Sequence, residues 1–79
     1  MLTIRAELTD TYGGEANYSW VRRRTLEMPD NASNLAIVRR AKRALGISGV
    51  RCRVDHYNGD TWEIRPYGWA AVAFITVDY

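Results

Sequence analysis

The chain has 79 residues, a formal net charge of +2 and a hydrophobic content of 47%. These values indicate one globular domain spanning residues 1–79, and they exclude an intrinsically disordered chain and a catalytic cleft between two domains. The single cysteine, Cys52, excludes an internal disulfide and a zinc site built from cysteines.

The chain shows no targeting or membrane segment. Its first residues lack a basic region followed by a long apolar run, so no signal peptide is predicted. The longest apolar stretch, residues 69–75, is far shorter than the roughly 20 residues that a membrane-spanning helix needs. Because a lone cysteine also suits a reducing compartment, we expect the protein in the cytoplasm, with no membrane partner.

Two strands are predicted in the first third of the chain. Residues 2–8 alternate apolar and polar side chains with the period of a half-buried strand. Residues 9–14 are predicted to be a turn region, in which Gly13-Gly14 supplies backbone freedom. Alternation resumes at Ala16 and predicts a second strand that continues through the arginines towards Leu26. Tyr18 and Trp20, and further along Trp62, are predicted to be core residues.

One helix is predicted after Pro29-Asp30-Asn31, over residues 31–45, with Asp30 or Asn31 as its N-cap. Steps of about 100° per residue place the apolar residues on one face: Ile37, Val38, Ala41, Ala44 and Leu45. The opposite face carries Arg39, Arg40 and Arg43, with Lys42 at its flank. Gly46 followed by Ile47 predicts a C-cap with a hydrophobic closing contact.

A hairpin is predicted around Asn58-Gly59. The preceding residues alternate, with Val50, Cys52, Val54 and His56 predicted to face inward. A two-residue turn would place polar residues opposite core residues, such as Asp55 opposite Trp62. A three-residue loop over residues 57–59 restores the pattern. It pairs Val54 with Trp62, Cys52 with Ile64, and Arg53 with Glu63.

The last strand is predicted from Trp69 to Val77, after a turn at Pro66-Tyr67-Gly68, and both of its faces are apolar. This pattern is typical of a strand that is covered on both sides, or of one whose second face meets a partner. The predicted fold class is therefore α+β, an antiparallel sheet with one packed helix in the order β-β-α-β-β-β.

The ionisable residues form no catalytic or metal-ligand pattern. His56 and Cys52 share the predicted inward face, where a small buried thiol beside a satisfied imidazole is favoured over a reactive Cys-His pair. The carboxylates are scattered, and Gly13-Gly14 lacks the spacing and the lysine of a phosphate loop. We therefore predict no enzymatic activity, no cofactor and no metal.

The cationic residues are ten arginines and Lys42, and they cluster at Arg22-Arg23-Arg24 and on the exposed helix face. Arginine binds carboxylate and phosphate through a planar fork that lysine lacks. These clusters also have structural explanations that involve no carboxylate or phosphate ligand. The triplet could be a solvated strand end with one arginine paired to Glu7 or Glu27, the helix cations could offset the macrodipole, and a GC-rich genome would also enrich arginine.

Aromatic residues accompany these cations: Tyr12, Tyr18, Trp20, Tyr57, Tyr67 and Trp69. Grooves for single-stranded nucleic acid combine arginine with aromatic rings, and so do the hot spots of protein interfaces. Composition does not separate the two. The candidate partner-binding residues are Arg22, Arg23, Arg24, Arg39, Arg40, Arg43, Tyr12 and Trp69.

The segment from Asp10 to Arg24 resembles a segment of small proteins encoded by phages, prophages and other bacterial mobile elements. In size and architecture the whole chain is similar to the type I anti-CRISPR proteins. That resemblance implies a stoichiometric inhibitor that binds the crRNA-guided surveillance complex, Cascade, in a bacterial host cell and blocks target DNA. Many anti-CRISPR proteins are acidic DNA mimics, a pattern from which this arginine-rich chain departs. Arginine contacts with an acidic protein surface or with exposed nucleic acid fit better.

Three functions therefore stand as hypotheses. The first is a non-enzymatic inhibitor that binds Cascade subunits, and the second is a small arginine-rich regulator that binds nucleic acid directly. The third and weakest is an enzyme that uses Cys52 and His56. The two apolar faces of the last strand leave both a monomer and a dimer open.

Overall fold

A computed structural model of the protein describes residues 1–78. Its elements, in chain order, are β1 Leu2–Tyr12, β2 Glu15–Met28, α1 Asn34–Leu45, β3 Cys52–Tyr57, β4 Thr61–Pro66 and β5 Ala71–Asp78. The strands form one antiparallel sheet in the order β2-β1-β5-β4-β3. The predicted α+β class and the predicted order of elements are confirmed.

The core lies between α1 and one face of the sheet. Cross-strand pairs of β1 and β5 form its centre, where Ala6 lies opposite Ile75 and Leu8 lies opposite Ala73. The predicted apolar face of α1 supplies the other side through Ile37, Val38, Ala41 and Leu45, all of which are buried. Each large aliphatic side chain buried in this way stabilises the fold by about 1.5–3 kcal/mol.

The first hairpin turns more tightly than predicted. β1 continues through Thr9 to Tyr12, and only Gly13 and Gly14 form the turn. Both have positive φ, 62° and 86°, which glycine adopts without a steric cost. The predicted turn region is wrong at its start because Thr9 pairs with Val21 of β2 and is fully buried.

β2 contains a wide bulge that exposes two aromatic residues. Its residues 17–20 lie opposite the single residue Asp10, since Thr9 pairs with Val21 and Thr11 pairs with Ala16. Within the bulge Tyr18 has a φ of 56°, which is uncommon for a residue with a side chain. Tyr18 is 50% exposed and Trp20 46% exposed, so their prediction as core residues is wrong. Trp62 is in the core, as predicted.

The helix starts later than predicted, at Asn34, and Ser33 is its N-cap. The Ser33 Oγ accepts a hydrogen bond from the Ala36 amide at 3.1 Å. The predicted N-cap, Asp30 or Asn31, is wrong for two reasons. The Ala32 amide donates to the Pro29 carbonyl and closes a turn before the helix, and the Asp30 carboxylate pairs with the N-terminal ammonium of Met1 at 2.7 Å.

The helix ends as predicted, in a Schellman motif. Gly46 adopts the left-handed conformation with φ of 80°, and its amide donates to the Arg43 carbonyl. The Ile47 amide donates to the Lys42 carbonyl at 2.9 Å. Ile47 is fully buried, which provides the predicted hydrophobic contact after the cap.

The β3–β4 hairpin has a different register from the predicted one. Its loop is residues 58–60, and the observed pairs are Val54 with Ile64, His56 with Trp62, Cys52 with Pro66, Arg53 with Arg65, and Asp55 with Glu63. The faces agree with the prediction, but each residue of β3 meets a partner two positions away from the predicted one. Asn58 and Gly59 both have positive φ, as the central residues of a type I′ turn require, and this places the turn after Tyr57.

The predicted inward residues of β3 lie at the margin of the core. α1 packs against β1 and β2, so β3 receives less cover. Val54 is 45% exposed, and His56 is also exposed, with its ring stacked on that of Trp62 at 4.3 Å between centroids. Both lie on the predicted face of the sheet, but neither is buried, because a single helix of 12 residues covers only part of a five-stranded sheet.

β5 confirms the two apolar faces that its sequence predicts. Ala73 and Ile75 face α1, while Phe74 pairs with Glu7 on the opposite face, which we call the open face. Among residues 1–78 no second layer of helix or strand covers the open face. Val72 is nevertheless fully buried on that face and Phe74 is half-buried, so the predicted covering on both sides holds for part of β5. The other interpretation, a partner on this face, stays a prediction.

The position of the N-cap can be tested by mutation. Ser33→Ala removes the acceptor for the Ala36 amide, and we expect it to lower the free energy of unfolding by about 1 kcal/mol in urea titrations. Asn31→Ala is the matched control and should change that energy by less than about 0.5 kcal/mol. A larger loss for Asn31→Ala than for Ser33→Ala would contradict the observed helix start.

Candidate partner-binding site

Three connections meet at one end of the sheet, which we call the turn end. The Thr11 amide donates to the Ala70 carbonyl at 2.9 Å and joins the β1–β2 turn to the β4–β5 turn. The Tyr67 amide donates to the Arg51 carbonyl at 2.9 Å and adds the segment that follows α1. Because α1 returns from the opposite end after β2, its last turn also lies at the turn end.

The arginine triplet is divided among three environments. Arg22 and Arg24 lie opposite Leu8 and Ala6 on the helix side of the sheet, and Arg23 lies opposite Glu7 on the open face. The Arg23 Nε pairs with the Glu7 carboxylate at 3.0 Å, so that structural alternative is confirmed. Arg24 donates to the carbonyl of Arg23 and is exposed. Alternation thus places Arg23 on the face opposite to that of Arg22 and Arg24.

Arg22 supports the end of the helix. Its Nη1 donates to the Leu45 carbonyl at 2.5 Å. A side chain at position 46 would place its Cβ atom only 3.0 Å from this Nη1, so glycine leaves room for the guanidinium. The last carbonyls of a helix lack partners within the helix and form the negative end of the macrodipole. A guanidinium at this position satisfies one of them and balances that charge.

Cations surround the C-terminus of α1, and we call this group the basic end: Arg22, Arg39, Lys42, Arg43 and Arg51. The Lys42 Nζ donates to the Val50 carbonyl at 2.8 Å, which holds the ammonium over the loop after the helix. A cavity of about 240 Å³ lies between this loop and the helix, and it is lined by Arg39, Lys42, Arg43, Ser48 and Gly49.

The basic end has no acidic partner in the part of the chain that the structure describes. The arginine–carboxylate pairs there are Arg5 with Asp78, Arg23 with Glu7, Arg53 with Asp55, and Arg65 with Glu63. All four belong to the strands and contain none of the cations of the basic end. Residues 33–51 carry five cations and no aspartate or glutamate. No carboxylate of the described residues therefore neutralises the charge of the basic end.

Exposed aromatic residues lie at the turn end as well. Tyr12 is 81% exposed beside the β1–β2 turn, and Tyr67 and Trp69 are 63% and 47% exposed in the β4–β5 turn. Trp20 immediately precedes Val21 and Arg22 in β2. Two predicted aromatic contacts, Tyr12 and Trp69, and the predicted cations Arg22, Arg39 and Arg43 thus lie towards the same end of the molecule. Arg24 and Arg40 are exposed elsewhere on the helix side.

The partner-binding residues predicted from the sequence leave out several residues of this end: Trp20, Lys42 as a positioned cation, Ser48, Gly49, Arg51 and Tyr67. The sequence contains one signal for Trp20. Thr9 and Asp10 are polar side chains in the middle of an apolar alternation, and such side chains can bind the amides of a bulged strand. The absence of aspartate and glutamate from residues 33–51 was a signal for Lys42, Ser48, Gly49 and Arg51.

Asp10 and Thr9 hold the bulge. The Asp10 carboxylate accepts hydrogen bonds from the Ser19 amide at 2.9 Å, the Ser19 hydroxyl at 2.6 Å and the Asn17 side-chain amide at 3.0 Å. The Thr9 Oγ1 accepts from the Tyr18 amide at 3.1 Å. The bonds from the Ser19 hydroxyl and Asn17 hold the pKa of Asp10 well below its ordinary value of 3.8.

The open face contains a second cavity, of about 370 Å³, with Phe74 among its lining residues. Charged groups at its rim neutralise each other, since Arg23 pairs with Glu7. The Tyr18 hydroxyl also donates to Glu7, at 2.8 Å, and this bond raises the pKa of Tyr18. The open face therefore presents paired charges, in contrast to the basic end.

Cys52 and His56 have separate partners. The Cys52 thiol donates to the Val50 carbonyl at 3.3 Å, and the His56 ring stacks on Trp62. No hydrogen bond joins the two side chains in the described structure. Likewise, residues 1–78 contain no group of three or more side chains placed to ligate a metal.

Comparison with known proteins gives no match: no family model, no curated protein and no solved structure is significantly similar to the chain. The fold and the site therefore define only a broad class: an α+β domain with cations and exposed aromatic residues at one end. Among the residues described, no helix is both long and apolar enough to cross a membrane.

The role of Arg22 in the fold can be separated from that of its neighbours. Arg22→Ala leaves the Leu45 carbonyl without its side-chain donor, and we expect the free energy of unfolding to fall by about 1 kcal/mol. Arg24→Ala removes the same charge from an exposed position and should have an effect below about 0.5 kcal/mol. Equal losses in urea titrations would show that Arg22 does not support the helix end.

The Asp10 network predicts a pH dependence. Its pKa is lower in the folded than in the unfolded chain, so the carboxylate contributes stability above about pH 4 that is lost as the pH falls below this value. Between pH 7 and pH 3, Asp10→Asn should therefore lose less stability than the wild type in urea titrations. Glu15→Gln, at an exposed carboxyl, is the control and should follow the wild type. An Asp10→Asn curve parallel to that of the wild type would refute the role of Asp10.

Proposed function

We propose that this protein is a non-enzymatic binding protein that holds a partner containing nucleic acid at its basic end. One observation supports this function above the others. Cations without carboxylate partners and exposed aromatic residues lie together at the turn end, while the arginines of the open face are paired. Nucleic acid requires both kinds of contact, because its phosphates bind cations and its bases stack on rings.

Helix stability accounts for only part of the basic end. The macrodipole favours cations in the last turn, which holds Lys42 and Arg43. Arg39 lies before that turn, and Arg51 lies beyond the helix. In addition, Arg39 and Arg43 are four residues apart on one helix face, a like-charge spacing that costs about 0.2–0.5 kcal/mol. An anionic partner offsets this repulsion and gives the arrangement a function.

The most concrete partner is the type I CRISPR surveillance complex, Cascade. The resemblance of the chain to small phage proteins and to type I anti-CRISPR proteins supports it, and so does the small α+β fold. In this proposal the protein is a stoichiometric inhibitor that blocks target DNA in the bacterial host cell. The basic end contacts exposed nucleic acid or acidic protein surface of the complex, because a cationic surface cannot mimic DNA.

A regulator that binds free DNA or RNA is the second candidate. The observation in its favour is the cavity of about 240 Å³ among Arg39, Lys42 and Arg43, which has the size and charge to receive a phosphate group. Rings such as Trp69 and Tyr12 would then stack on unpaired bases, at about 1–3 kcal/mol per base.

Pull-down with purified type I Cascade complexes tests the first candidate. The wild-type protein should bind at least one complex and block its target DNA. Arg39→Gln/Arg43→Gln should weaken binding at least tenfold, because each substitution removes a charged contact. The matched control, Arg5→Gln/Arg53→Gln, removes the same charge from the open face and should bind within about threefold of the wild type. Failure to bind any type I complex would eliminate this partner.

Titration of oligonucleotides in increasing salt tests the second candidate. Direct binding should weaken with salt, with a log–log slope of about 0.7 per phosphate on a single strand and 0.9 on a duplex. Arg39→Gln/Arg43→Gln should reduce the slope, and Arg5→Gln/Arg53→Gln should not. Absence of binding at low salt would refute the regulator hypothesis. Binding to Cascade without binding to oligonucleotides would support the inhibitor as the single remaining candidate.

A further inference from the structure

The loop that follows α1 has two backbone donors without an acceptor, and their residues line the cavity of the basic end. The Val50 amide donates to the Ile47 carbonyl at 3.1 Å and closes a turn whose central residues are Ser48 and Gly49. Gly49 has a φ of 83°, the left-handed conformation that such a turn requires at this position. Within residues 1–78 the amides of Ser48 and Gly49 have no hydrogen-bond acceptor, and both residues line the cavity.

Three cationic side chains line the same cavity: Arg39, Lys42 and Arg43. The bond from Lys42 to the Val50 carbonyl uses one of the three N–H groups of its ammonium and leaves two. It also fixes a flexible side chain before any ligand binds, which lowers the entropic cost of binding. Two arginines, one lysine, Ser48 and Gly49 therefore line one small space.

The end of a helix normally repels an anion, and here this repulsion is removed. The carbonyls of Lys42 and Arg43 accept from the amides of Ile47 and Gly46. The Leu45 carbonyl accepts from Arg22. Because these last carbonyls are satisfied, the negative end of the macrodipole is largely neutralised at this position.

We propose that this cavity is a cradle for one phosphate group, held by Arg39, Lys42 and Arg43 together with the Ser48 and Gly49 amides. The inference rests on the proposed function and names the contact through which the basic end binds nucleic acid. Successive N–H groups in a turn bind anions elsewhere in proteins, and arginine forks match the geometry of phosphate oxygens. A phosphodiester is favoured over free phosphate because Arg51 provides a further cation for a neighbouring phosphate.

Nuclear magnetic resonance can test the cradle directly. The ¹⁵N-labelled protein is titrated with inorganic phosphate, and separately with sodium chloride at matched ionic strength. We expect phosphate to shift the amide signals of Ser48 and Gly49 more than any others, and chloride to leave them in place. Unmoved Ser48 and Gly49 signals, or small shifts spread over all arginine-rich segments, would overturn the proposal.

Two single variants can show whether binding depends on the cradle itself or on positive charge anywhere on the helix. Arg43→Gln removes a lining residue, and Arg40→Gln removes the same charge from the same helix outside the cavity lining. With a single-stranded oligonucleotide, Arg43→Gln should raise the Kd about tenfold, the loss expected for one charged hydrogen bond, and Arg40→Gln less than threefold. Equal effects would count against the cradle.

The two titrations together distinguish this inference from the proposed function. If the oligonucleotide binds but Arg43→Gln and Arg40→Gln are equivalent and the loop amides do not move, the proposed function stands and the cradle is refuted. If phosphate moves the loop amides but neither oligonucleotide nor Cascade binds, the cradle stands with free phosphate as its ligand. In that case the nucleic-acid source and the proposed function are refuted.

Discussion

The antiparallel pairing of β1 with β5 determines the rest of the architecture. It joins the β1–β2 hairpin to the strands β3, β4 and β5 in one sheet, and so it makes β2 and β3 opposite edges. The chain between these edges must cross the sheet, and α1 makes that crossing while it covers one face. Since β2 ends far from the β1–β2 turn, the helix returns towards that turn. Its C-terminus therefore lies at the turn end, where the aromatic residues of two turns are also found.

This geometry separates two kinds of charged surface. On the strands each of four arginines pairs with a carboxylate, and an exposed pair of this kind contributes between zero and about 1 kcal/mol. Around α1 the cations have no such partner among the described residues. A protein with a net charge of only +2 thus has one end with a strong positive potential, and that end can steer an anionic partner towards it.

The sequence predicts the elements and their faces well, because alternation and helical periodicity reflect burial directly. The sequence does not predict the β3–β4 register. A shift of the pairing by two residues keeps every side chain on the same face, so the apolar pattern fits both registers. The backbone conformation of Asn58-Gly59 determines which register forms. The bulge at Tyr18 and Trp20 escapes prediction because it depends on Thr9 and Asp10 of the neighbouring strand. The site depends on tertiary pairing, and no local pattern indicates that Trp69 and Arg43 lie at the same end.

The presence of the arginine triplet has structural explanations that do not apply to Arg39 and Arg43 of the helix. It lies on β2, an edge strand of 14 residues whose free backbone could pair with a second copy of the chain. Antiparallel self-pairing about Arg23 would place Arg22 opposite the Arg24 of the other copy, where like charges repel. Arg22 also supports the helix end, and Arg23 pairs with Glu7. Edge protection and these two contacts account for the triplet without a partner. The side chains of Arg39 and Arg43 have no ion pair among residues 1–78, so the partner-binding function is better placed on the helix than on the triplet.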